Sequence, residues 1–151
     1  MNTKKFITLI VSLVFALSLV SCSSDYDSKS VREYSDSITT NILSSMSSLN
    51  YEDFIKDFND DMMQMAPDKS AFINLVMPIQ NAVGTYEENS LEFIEAKLQK
   101  DTINVLYSAK FTNEDKRVKI SISFKEDDPN HKVSGLFFNS PKIEELSKDA
   151  K

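Results

Sequence analysis

The hydrophobic period of this chain changes from roughly three and a half residues to two shortly after Gly84. Before it, Val31, Tyr34, Ile38, Ile42, Met46 and Leu49 recur at helical spacing among serines, threonines and charges. Asn50 then reads as an N-cap with Asp53 three residues on. Phe54, Ile55, Phe58, Met62 and Met65 form a second apolar stripe, with Asp57, Asp60 and Asp61 facing out. Pro67-Asp68 ends that helix and caps a third, Asp68 to Val83, whose apolar face carries Phe72, Leu75, Val76, Ile79 and Val83. Pro78 predicts a kink or fresh start near Met77, and Gly84 a C-terminal stop.

Beyond Gly84 the pattern alternates. Ile94, Ala96 and Leu98 make one run; Ile103, Val105, Tyr107, Ala109 and Phe111 a second; Val118, Ile120, Ile122 and Phe124 a third. Val133 to Phe138 is a shorter fourth. Each run has one apolar and one mostly polar face, as in an antiparallel sheet covered on one side. Lys100-Asp101, Thr112 to Lys116 and Glu126 to His131 read as the connecting turns. The expected fold is α+β, with three N-terminal helices packed on one face of a four-stranded antiparallel meander.

The first residues carry an address. Lys4 and Lys5 precede an uncharged apolar run, Phe6 to Val20. At 1.5 Å per residue that run spans roughly 22 Å, short of a ~30 Å hydrocarbon core, so a cleaved leader fits better than a spanning anchor. Leu19-Val20-Ser21-Cys22 resembles the bacterial lipobox, and Cys22 is the only cysteine. The expected layout is a signal peptide over 1–21, lipidated Cys22 opening a polar tether over 22–30, a domain over 31–139 and a polar tail over 140–151. Two or three acyl chains, palmitate among them, would hold Cys22 stably at a membrane. The expected location is the bacterial cell envelope, lipid-anchored and facing outside the cytoplasm.

Charge narrows the partners. The chain has 17 basic and 23 acidic side chains, a formal charge of −6. Losing Lys4 and Lys5 with the leader makes the remainder more acidic still. Such a domain repels nucleic acid, and no basic stripe with interleaved aromatics is present. With two glycines and no tryptophan, neither a glycine-rich phosphate loop nor a tryptophan-lined sugar platform is indicated.

Few residues suggest chemistry. His131 is the single histidine, in a polar turn, and reads as solvated. Glu126, Asp127, Asp128 and Asn130 offer calcium-type oxygens without EF-hand spacing. Met62, Met63, Met65 and Met77 carry thioethers of the kind that bind Cu(I), but read better as apolar packing. No metal site and no cofactor is therefore expected. Tyr107 falls on an inward strand position, where no strand supplies Asp or Glu, so an acid–base pair is lacking and no catalytic residue is assigned. A pocket, if formed, is expected to be lined by Tyr107, Phe111, Phe124, Phe138, Met62 and Met77.

Three stretches carry a family resemblance: Asn50-Tyr51-Glu52-Asp53-Phe54 with Phe58, Val83-Gly84-Thr85-Tyr86, and Val133-Ser134-Gly135-Leu136-Phe137-Phe138. Together they resemble the bacterial domain of unknown function 3887, over about Val31 to Asn139. That resemblance implies a cystatin-like, or nuclear-transport-factor-2-like, fold: a curved sheet wrapped around a helix, sometimes with a cone-shaped cavity. It transfers no function, because that fold hosts isomerases, dehydratases, binders and adaptors. The expectation is a non-enzymatic binding or adaptor domain, its partners the membrane through Cys22 and an envelope protein or apolar small molecule. The alternative is a pocket enzyme of the isomerase or dehydratase type.

Overall fold

The computed structural model describes residues 23–149. The expected leader and Cys22 lie outside the described residues. The described chain is α+β: a five-stranded antiparallel sheet in the order β1-β2-β3-β4-β5, with four helices between β1 and β2 and one after β5. The strands are β1 (Ser23–Asp25), β2 (Glu92–Gln99), β3 (Thr102–Phe111), β4 (Glu114–Lys125) and β5 (Val133–Asn139). The helices are α1 (Ser28–Ser48), α2 (Tyr51–Ile55), α3 (Asp60–Met63), α4 (Lys69–Val83) and α5 (Pro141–Asp149).

Several expectations change. Of the segment 22–30 expected as a tether, the described residues 23–30 instead supply the edge strand β1, which pairs with β2 from Ser23↔Gln99 to Asp25↔Lys97, and the start of α1. A polar three-residue strand has no periodicity to betray it; its stability comes from the ladder. The segment expected as a polar tail forms α5 over Pro141–Asp149, whose Ile143 packs on the core. The single second helix is two short ones, because Asn59 caps a new start at Asp60 by accepting from the Met62 N–H. Among the described residues four helices, not three, thus precede β2, and the sheet has five strands, not four.

The serine-rich α1 owes its ends to capping. Asp27 accepts from the Lys29 N–H at the N-terminus, and Leu49 closes the other end at φ 54°. Its small polar residues are not all outside: Ser35, Thr39 and Ser45 are buried with Val31, Ile42, Leu43 and Met46. Short side chains let α1 lie close over the sheet. Phe124 of β4 meets Tyr34 of α1 edge-on at 5.1 Å, so α1 covers that end of β4. Phe72 of α4 packs with Phe54 and Tyr51.

Asp68 caps α4 through the Ala71 N–H, and the helix runs unbroken through Pro78 to Val83. Proline there forfeits one bond, and the buried Phe72, Val76 and Val83 hold the helix on both sides of it. Gly84 has φ 80°, and a Cβ there would lie 2.2 Å from Thr112 Oγ1. The close approach is used: Asn113 N–H donates to the Val83 carbonyl.

The sheet's apolar face matches the alternation in β3 and β4. Ile103, Val105, Tyr107, Ala109 and Phe111 are buried, as are Val118, Ile120, Ile122 and Phe124. In β2 a bulge between Phe93 and Glu95 shifts the phase. Ile94 is thereby exposed, and Phe93 takes the inward place opposite Tyr107. A bulge at Ser134 does the same in β5, so Val133 and Phe138 are both buried although five residues apart.

Candidate functional site

Two concave sites matter. The first is an apolar cleft of about 210 Å³ between β5 and the helices α1 to α5. Phe54, Phe58 and Met62 form its floor from α2, the α2–α3 link and α3, while Val76 and Ile79 descend from α4. Leu136 and Phe138 enter from β5. Met65 and Phe137 also line it yet are 54% and 64% exposed; Phe137, paired with Ser121 on the sheet's other face, meets the cleft only at the β5 edge. The helical spacing of Met62 and Met65 and the short apolar run of β5 produce this surface directly.

The second site, about 230 Å³, is polar and surrounds Tyr107. The Tyr107 hydroxyl lies 2.6 Å from Ser35 Oγ and 2.6 Å from Asp36 Oδ1. Arg32 donates from Nε to Asp36 at 3.1 Å, pairs with it through Nη2 at 3.0 Å and rests 5.2 Å over the Phe93 ring. Burial, then the Asp36 carboxylate, push the Tyr107 phenol well above its ordinary value. It stays protonated and donates to Asp36. The same carboxylate raises the Arg32 guanidinium. Tyr86 borders this site, and its buried hydroxyl has no hydrogen-bond partner among the described residues.

The expected pocket residues separate. Phe138 and Met62 line the apolar cleft. Tyr107 borders the polar site. Phe111 and Phe124 are 5% and 0% exposed in the core, and Met77 is half-buried on α4 without lining the cleft. A carboxylate does meet Tyr107, contrary to the expectation. It comes from α1 and not from a strand, which is why strand positions alone could not reveal it. The signal lay in α1 itself, where Arg32 and Asp36 are four residues apart on the turn facing Tyr107.

His131 is not a freely solvated turn residue: its ring stacks on Tyr34 at 3.8 Å. Asp128 accepts from the backbone N–H groups of Asn130 and Lys132, both at 2.9 Å. Those bonds lower its carboxyl below the usual value and give it a structural role in the turn. Among the described residues no cluster of three His, Cys, Asp or Glu side chains could hold a metal ion. No helix among them is long and apolar enough to cross a membrane. No protein-family profile matches this chain, and no curated protein matches it.

Proposed function

We propose that this chain is a lipid-anchored extracytoplasmic lipoprotein whose domain works by binding, with the apolar cleft as its site. The fold reading that accompanies this is the cystatin-like, nuclear-transport-factor-2-like one of the domain of unknown function 3887; helices on one face of an antiparallel sheet support it. The observation that carries the binding reading is the cleft itself: apolar side chains on its walls and two large exposed apolar residues, Met65 and Phe137, bordering it. Exposed apolar surface beside a cleft is the usual mark of a binding site. A solvatochromic apolar dye should gain fluorescence saturably on the protein. Phe137→Ser with Met65→Ser should weaken the dye by about tenfold, the equivalent of one large side chain's burial, without lowering the melting temperature. Undiminished binding in that double variant would remove the cleft as the site.

The enzyme alternative rests on the Tyr107–Asp36 contact. Against it, both side chains are satisfied by each other, Ser35 and Arg32, so the phenol proton is directed at protein and not at a substrate. A turnover abolished by Tyr107→Phe in a folded protein would reverse this preference.

A further inference from the structure

The outer edge of β5 bounds the cleft, and the ladder fixes which main-chain groups face it. Tyr26 N–H donates to the Ala96 carbonyl at 3.0 Å, so Ala96 turns its main-chain groups toward β1. Along an antiparallel ladder, bonded and non-bonded pairs alternate. Ala96 pairs with Val105, Val105 with Ile122 and Ile122 with Leu136. Followed through those pairs, Val105 bonds toward β4, Ile122 back toward β3, and Leu136 away from the sheet. Phe138, two residues on, points its N–H and C=O the same way. No hydrogen bond within the described residues reaches these four groups, and the side chains of both residues line the cleft.

The line of a sixth strand already begins there. Val133 N–H donates to Asp57 O at 2.8 Å and Asn59 N–H to Val133 O at 3.0 Å, a parallel bridge centred on Phe58. At Asp60 the chain turns into α3, so Leu136 and Phe138 have no neighbouring strand. At about 210 Å³ the cleft is smaller than the ~300–1,000 Å³ of small-molecule pockets and suits one or two apolar side chains. Asp57, Asp60 and Asp61 interleave with the cleft residues Phe58 and Met62, and among the described residues none of them joins an ion pair.

We infer that β5 accepts an extended peptide as a sixth strand, placing apolar side chains from alternate positions in the cleft and a basic residue beside Asp57, Asp60 and Asp61. Main-chain bonds to Leu136 and Phe138 supply affinity, the cleft and the carboxylates supply selectivity. This rests on the cleft being the binding site and narrows its ligand from any apolar group to a peptide. An acyl chain would fill the cleft but leave the four main-chain groups unbonded.

The test uses the full chain in lipid nanodiscs and a labelled ten-residue peptide of alternating valine and threonine ending in two lysines, followed by fluorescence anisotropy. Saturable binding is expected. Backbone N-methylation of one alternate set of amides should weaken it at least tenfold, and methylation of the other set should not. Glutamates in place of the lysines should weaken it and reverse its salt dependence, because salt then screens a repulsion. Leu136→Pro deletes an outward N–H and no β4 ladder bond, so it should also weaken the peptide; should that variant not fold, the methylated peptides decide. Equal binding of both methylated peptides would overturn strand addition. Failure of the peptide while the apolar dye still binds would overturn it and leave the cleft reading standing. Failure of both would remove both.

Discussion

Tyr107 shows how one side chain ties layers together. Its ring is in the core beside Phe93, at 5.8 Å, and its hydroxyl reaches Ser35 and Asp36 of α1. Ser35 is fully buried, whereas the Asp36 side chain is 38% exposed. Tyr107→Phe therefore leaves a buried serine hydroxyl without its partner, while water can replace the phenol at Asp36. The expected cost is about 1–3 kcal/mol, read from the urea midpoint; an unchanged midpoint would mean that Ser35 finds another acceptor. Asp128 has a different dependence. Its folded-state pKa lies below the ordinary carboxylate value because two backbone N–H groups bond the ionised form. A lowered folded pKa gives stability that is complete above the unfolded value and lost as pH falls through the folded one. The difference in melting temperature between wild type and Asp128→Asn should be present at pH 7 and shrink below about pH 4. A difference that grew on acidification would contradict the assigned bonds.

At the scale of elements, β3 and β4 set the register of the sheet. Phe124 is fully buried and Lys119 exposed on the opposite face. Phe124→Ala should cost about 3–5 kcal/mol, and Lys119→Ala should stay within roughly 0.5 kcal/mol, both by chemical denaturation. Similar costs would mean a one-residue slip, which exchanges the faces. These strands, α4 with its Asp68 cap and its Gly84 stop were legible because each carries its own period and boundary residues. β1 was not, since Ser23-Ser24-Asp25 has no apolar face and exists through its bonds to β2. The bulges at Ile94 and Ser134 were equally hidden, because an inserted residue shows only against a partner strand. The same reason hid Asp36 from the site and the open edge from the cleft. Contacts between distant elements leave no mark in local spacing.

At the scale of the molecule, the sheet separates its two ends of interest. β1 opens one residue after Cys22, at one edge, and the apolar cleft lies along β5 at the other. Four inter-strand steps of about 4.8 Å place the two edges roughly 19 Å apart. A lipid on Cys22 would thus hold the β1 edge at the membrane through a paired strand, with no slack segment between, and keep the cleft clear of its own acyl chains. Nothing in the described core depends on that lipid, since the buried residues run from Val31 to Ser140. The anchor and the fold should therefore be separable. Cys22→Ala should leave an unprocessed precursor or release protein to the medium, detected by mass and by membrane fractionation. The released or extracted domain should melt cooperatively at the wild-type temperature, with and without reductant. Unchanged processing and membrane retention would refute lipidation at Cys22, whereas loss of the cooperative melt would show that the domain needs its anchored N-terminus to fold.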